Sequence, residues 1–215
     1  REAERKQKAA ADGITATVHY VIDTKTLITE ATLQLNIEAS KPGVNNATEK
    51  PKVHFMAIVD TSGSMEHAMK ACRGAIKNMA NVLYSAKDAT FRLGNFSAEY
   101  QDIMMNEQNY ENEIDNHIQA NGGTNFVAAC DGLMNYFQNE CANFDDKSEH
   151  IVTVMLLTDG AASSPRESYM PGQSWFEAAD KAIEDLAQRG VYIQCQFIGF
   201  DKPDADFMSK FTGIS

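Results

Sequence analysis

Oxygen-bearing side chains gather at three separate points of this 215-residue chain, each in a turn or just beyond an apolar run. Asp60, Ser62 and Ser64 alternate in Asp60-Thr61-Ser62-Gly63-Ser64, directly after the run Val53–Val59. Thr124 belongs to the Gly-rich turn Asn121-Gly122-Gly123-Thr124-Asn125, and Asp159 follows the run Ile151–Leu157 within Thr158-Asp159-Gly160. Alternate residues of a loop leaving a strand can turn their side chains to one centre, and Gly63 lets the backbone fold tightly between them. Three hydroxyls and two carboxylates make an oxygen-only donor set. It suits a hard divalent ion, Mg²⁺ or Mn²⁺ with Ca²⁺ also admissible, and not zinc, which asks for Cys or His. Each point also has a plain structural reading. Asp and Ser are good N-caps for a following helix, Asp159 suits an ordinary turn, and Thr124 can cap the helix from Asn125 while also serving a metal.

The flanking pattern says what must position these residues. Val53–Val59 is almost uninterruptedly apolar, as expected of a strand buried on both faces. Met69, Cys72, Ile76, Met79, Ala80 and Leu83 then recur at helical spacing. Strand-like runs return at Thr90–Phe96, Ile151–Leu157 and Val191–Phe197, with helical patterns at Tyr110–Ile118, Val127–Phe137 and Trp175–Gln188 between them. The alternation predicts an α/β fold: a Rossmann-like, doubly wound, mostly parallel sheet flanked by helices. Such sheets bind ligands beyond the carboxyl ends of their strands, where strand order reverses. All three oxygen-rich points fall there. Ahead of this module, residues 1–12 read as a charged linker or helix extension. Residues 13–48 carry two alternating runs, Ile14–Ile22 and Ala31–Glu38, predicted to be antiparallel strands. The Pro/Gly/Asn loop Lys41–Lys50 marks the boundary to a module spanning 49–215.

Asp60-Thr61-Ser62-Gly63-Ser64, Thr124 in Gly-Gly-Thr-Asn and Asp159 in Leu-Leu-Thr-Asp-Gly resemble, in the same order along the chain, the metal-ion-dependent adhesion site of von Willebrand factor type A domains. The resemblance covers roughly residues 49 to 215. It implies that Ser62 and Ser64 coordinate a divalent ion directly, that Thr124 does so directly or through water, and that Asp60 and Asp159 largely hold waters. It also implies a protein partner that donates a Glu or Asp carboxylate to the open position, hence an adhesion-type binding module and not an enzyme. A helix beginning near Met65 would point its positive end at the site. The family's usual order continues with one more strand and a C-terminal helix. The expectation is therefore a piece of a longer multidomain chain or assembly, its two N-terminal strands belonging to a β-sandwich completed downstream.

Composition narrows the partners. Thirty acidic against nineteen basic residues give a net charge of −11, which argues against non-specific binding to nucleic acid or anionic lipid. No apolar run reaches the length of a bilayer span. Cys72, Cys130, Cys141 and Cys195 are scattered without CxxC pairing, so reduced, buried thiols are expected and the compartment leans intracellular. Sequons at Asn46 and Asn95 keep secretion open. Two other functions compete. One is a structural component of an assembly whose metal site is stabilising or vestigial. The other is a Mg²⁺-dependent phosphohydrolase with Asp60 as nucleophile, but Ser62 stands where its loop needs a second Asp, and no P-loop or GxSxG elbow is present. His54, His67 and His117 look isolated, with His67 placed to touch a partner. The acidic run Glu107–Asp115 reads as a solvated face, and Tyr169 and Trp175 read as either a ligand-facing rim or local packing.

Overall fold

The computed structural model describes residues 15–22, 29–36 and 51–214, apart from 87, 146, 161, 164 and 201–203. The chain divides into two compact units, Arg1–Asn46 and Ala47–Ser215. In the first, β1 (Thr15–Ile22) pairs antiparallel with β2 (Thr29–Asn36), Thr15 opposite Asn36 and Ile22 opposite Thr29. The charged opening segment, the 41–50 loop and the Asn46 sequon lie outside the described residues.

The second unit alternates strands and helices: β3 (Lys52–Asp60), α1 (Met69–Tyr84), β4 (Ala89–Phe96), β5 (Tyr100–Ile103), α2 (Tyr110–His117), α3 (Phe126–Asn139), β6 (His150–Thr158), α4 (Arg166–Tyr169), α5 (Gln173–Ala187), β7 (Val191–Gly199) and α6 (Ala205–Thr212). The sheet runs β5-β4-β3-β6-β7, parallel throughout except for the antiparallel edge pair β4–β5. From β3 the chain winds first toward β4 and later back to β6 on the other side. The strand order therefore reverses between β3 and β6, and the carboxyl ends there are Asp60 and Thr158.

Burial on both faces explains the apolar central strands. Met56 and Ile58 join the large cluster built with α3, α5 and α6. Their neighbours Phe55, Ala57 and Val59 are equally buried and turn to the opposite side, as strand alternation requires. There α1 packs through Met69, Cys72, Ile76, Ala80 and Leu83, one stripe at helical spacing. All four cysteines are free and buried, and burial pushes the thiols of Cys72, Cys141 and Cys195 up to about 12, so they behave as small apolar fillers.

Several sequence expectations change. β5 was not visible as a strand. It is held by the Tyr100 side chain, which lies against Gly94 and Gly132 so closely that a Cβ would come 2.4 Å from its hydroxyl at Gly94 and 2.4 Å from its ring at Gly132. The Asn95 sequon is part of β4: Asn95 is buried and donates to the His117 carbonyl at 2.7 Å, so in the folded chain it is no glycan acceptor. Asp115 is not simply solvated, because Lys77 holds it at 2.7 Å. Trp175 packs against the core and meets Phe176 edge-on, which favours packing over a ligand rim.

His54 is not isolated either. It is buried, bonded to His150 at 2.9 Å, and burial lowers its pKa from 6.5 to about 4, with the charges of His150 and Lys52 adding to the effect. Between about pH 6.5 and 4 the unfolded ring holds a proton that the folded ring does not. Stability therefore falls as pH drops through that window and levels off below it, by up to about 3 kcal/mol from this group. The check is the urea midpoint at pH 7 against pH 4.5, where His54→Gln is expected to flatten the difference.

Candidate metal centre

Asp60 ends β3 at the point where strand order reverses, and it is fully buried. Its Oδ1 accepts the Ser62 amide at 2.8 Å and its Oδ2 accepts the Thr158 hydroxyl at 2.5 Å. The loop then turns tightly. Thr61 donates both its amide (2.8 Å) and its hydroxyl (3.0 Å) to the Phe96 carbonyl at the end of β4. Ser62 Oγ and Ser64 Oγ stand 3.1 Å apart, and Ser64 Oγ donates to Asp159 Oδ1 at 3.0 Å. Four of the five residues singled out from the sequence thus form one bonded chain across two loops. The expectation of an α-helix from Met65 is corrected. Residues Gly63–His67 form a 3₁₀ turn, closed by Met65 N–Ser62 O and Ala68 N–Met65 O bonds, and α1 begins at Met69. The tight turn lets the Met65 side chain bury completely beneath the loop. His67 folds back, its Nδ1 donating to the Ser64 carbonyl at 2.8 Å.

Thr124 arrives by backbone contacts. Gly63 N donates to Gly122 O (3.0 Å) and Asn121 N to Thr61 O (2.6 Å), laying the Gly-rich turn against the 60–64 loop. Gly122 has φ +82°, a left-handed conformation that glycine adopts without strain. Thr124 N donates to Ser163 Oγ at 2.8 Å, while Ser163 N donates to Thr124 O at 3.0 Å, tying it to the loop beyond Asp159. Asn125 caps α3 by accepting the Ala128 amide. The capping role therefore falls to Asn125 and leaves Thr124 outside it.

Two residues that sequence reasoning left without a role also hold this arrangement. Thr158 donates to Asp60 and accepts Gly160 N at 3.0 Å, joining the two strand ends. A polar residue closing an otherwise apolar run was its visible signal. Ser163 had none, being one of several small polar residues in a long loop.

Electrostatics sharpen the picture. Burial raises the Asp60 carboxyl above the usual carboxylate range, the hydrogen bonds from Thr158 and Ser62 oppose this, and the Asp159 charge adds to the rise. No basic side chain among the described residues pairs with Asp60 or Asp159. A buried carboxylate without a countercharge is costly, and a divalent cation between the loops would supply one. Among the described residues no three His, Cys, Asp or Glu side chains cluster as metal ligands, so the donor set is hydroxyl-rich with two carboxylates. That is oxygen chemistry for a hard cation. Asp60 and Ser62 form a buried floor, while Ser64 is exposed and Asp159 half-buried above it. A cleft of about 590 Å³ opens beside Gly63, between α1 and α2.

No protein-family model and no curated protein matches the chain. Solved structures do. The von Willebrand factor type A protein from Catenulispora acidiphila superposes with a TM-score of 0.51 at 17% identity, over 95% of this chain and 40% of that one.

The chain has a von Willebrand factor type A fold.

The same comparison finds the PilB minor pilin from Streptococcus sanguinis (a D319A mutant), TM-score 0.53 at 14% identity over 99% of this chain and 72% of that one. It also finds proximal thread matrix protein 1 from the mussel byssus, TM-score 0.50 at 15% identity over 75% and 41%. The chain thus spans about two fifths of the Catenulispora and mussel proteins. In this molecule Asp60 closes β3 at the carboxyl edge of the five-stranded sheet, and Ser62, Ser64, Thr124 and Asp159 lie on the loops at that edge. No described helix is long and apolar enough to cross a membrane.

Proposed function

We propose that this type A unit is a binding module that holds a divalent cation, Mg²⁺ or Mn²⁺ with Ca²⁺ as a further candidate, and through it takes a Glu or Asp carboxylate of a partner protein. The ion would be held by Ser62, Ser64 and Thr124, with Asp60 and Asp159 balancing its charge through bound water. One observation carries the reading: a fully buried carboxylate at the strand-order reversal, with no basic partner among the described residues, bonded to the Ser62 amide, while the Ser62 hydroxyl continues through Ser64 to Asp159 at the surface. Neutral hydroxyls leave a dication's charge incompletely satisfied, and an anionic ligand then gains from joining it. The unit is a recognition module and no enzyme in this reading, since Ser62 occupies the position where a phosphohydrolase loop needs its second aspartate. The overall acidity of the chain makes docking of an acidic partner slower at low salt than at high salt.

Acetate serves as the probe, because it is a carboxylate that exchanges rapidly. With Mn²⁺ bound, the acetate methyl protons are expected to relax faster with wild type than with Asp60→Asn at matched total Mn²⁺, and EDTA abolishes the difference. Equal relaxation in the two proteins would remove the carboxylate-accepting role.

A further inference from the structure

At the opposite end of the same strands, four groups from three elements and a turn form a second hydrogen-bonded chain. Thr90 Oγ1 (β4) lies 2.8 Å from His54 Nδ1 (β3), His54 Nε2 lies 2.9 Å from His150 Nδ1 (β6), and His150 Nε2 lies 3.0 Å from the Asp145 carbonyl. Both rings are buried, at 6% and 2% exposure. Phe144 stacks on both, its centroid 4.2 Å from His54 and 4.6 Å from His150, nearly parallel to each. The Phe144–Asp145 turn is thus held to the amino-terminal edge of the sheet through these two rings, with Lys52 bonding Asp145 at 2.6 Å beside them.

The proton positions follow from the chemistry of the far end. A carbonyl only accepts, so His150 Nε2 must carry a hydrogen. In the form with both rings neutral, His150 Nδ1 is bare and accepts from His54 Nε2–H. His54 Nδ1 is then bare and accepts from the Thr90 hydroxyl. Adding one proton is possible without breaking anything: Nδ1 of His54 becomes a donor and the Thr90 hydroxyl rotates to accept. The hydrogen between the rings then sits on either His54 Nε2 or His150 Nδ1, so the two rings share one charge. A second proton would place hydrogens on both facing nitrogens and destroy the central bond. The charged groups that act on His54 are a charged His150 and Lys52, which resist its protonation, and Asp145, which favours it; the Asp145 carboxylate also faces His150, its Oδ2 3.8 Å from His150 Nε2.

We infer that Thr90, His54, His150 and the Asp145 carbonyl form an acid-sensitive clamp on the Phe144–Asp145 turn, one that takes up a single shared proton intact and releases the turn on the second.

The test is imidazole ¹⁵N spectroscopy with amide hydrogen exchange on the full chain from pH 7.5 downward. At pH 7.5 both rings are expected as the Nε2–H form. On acidification they report one shared midpoint. At a lower second step, protection of the amides around Phe144–Asp145 falls at least tenfold while β6 amides stay protected. An Nδ1–H form on either ring at pH 7.5, two independent titrations, or loss of turn and β6 protection together would overturn the inference. Thr90 is exposed, so Thr90→Val is expected to fold. Without an acceptor for the first proton, its shared midpoint is expected at a tenfold or greater proton concentration. An unmoved midpoint would overturn the assignment.

Discussion

Saturating Mg²⁺ or Mn²⁺ is expected to raise the melting temperature of the wild-type chain, and Asp60→Asn is expected to shrink the rise to about half or less. An ion at about 100 times its dissociation constant stabilises the state that binds it by about 2.7 kcal/mol, which is about 5–10 °C for a domain of this size. Losing a charge that orients metal-bound water costs roughly 10- to 100-fold in affinity, which leaves only about 0.4–1.4 kcal/mol of the response at the same concentration. The variant carries a second signature that separates it from simple damage. The wild-type carboxylate is fully buried and has no basic partner among the described residues, and burial works against its charge. Asn keeps the acceptor for Ser62 N, loses the one for the Thr158 hydroxyl and removes that charge, so the two effects offset and metal-free Asp60→Asn is expected to be about as stable as metal-free wild type at pH 7. A variant less stable than wild type without metal would mean that Asp60 is a structural hydrogen-bonding residue first. Differential scanning calorimetry with EDTA and with each ion reads both effects.

Phe126→Ala is expected to cost about 3–5 kcal/mol, the largest loss of any single change considered. Phe126 is fully buried at the start of α3, with its ring 5.5 Å from Phe96 and 4.6 Å from Phe207. Those neighbours explain why the effect reaches the metal loops. The Phe96 carbonyl receives both bonds from Thr61, and residue 126 lies two positions beyond Thr124. Emptying this space leaves a cavity behind two of the three loops, so metal affinity is expected to drop along with stability. Phe207→Ala opens a cavity in the same aromatic cluster from α6, and is expected to lower stability without the same loss of metal affinity. Chemical denaturation paired with Mn²⁺ titration distinguishes the two variants.

What could be read from the sequence followed the apolar runs. Val53–Val59 and Ile151–Leu157 are interrupted only by His54 and Thr153 because both faces of those strands are covered, and that near-continuity marked the central strands and so the loops that follow them. α1 was legible from a single stripe of five buried residues. β5 was not, because Tyr100-Gln101-Asp102-Ile103 has no pattern of its own. It is a strand by virtue of the Tyr100 ring between two glycines and the antiparallel pairing with β4. The α-helix start near Met65 was misread because local spacing cannot distinguish an α turn from a 3₁₀ turn that sends Met65 inward. Within the site, the five donors stood out by residue type, whereas Ser163 acts through its backbone and hydroxyl on a residue 39 positions away. The His54–His150 contact was hidden for the same reason. It spans 96 positions and depends on the β3–β6 register, which sets Lys52 opposite His150.

Electron paramagnetic resonance titration of the full chain with Mn²⁺ addresses the central claim directly, since bound and free Mn²⁺ are counted separately. The expected result is one saturable Mn²⁺ per chain, displaced by excess Mg²⁺ and lost in the double variant Ser62→Ala, Ser64→Ala. No saturable uptake by the wild type, or uptake unchanged in the double variant, would contradict a cation held by these loops.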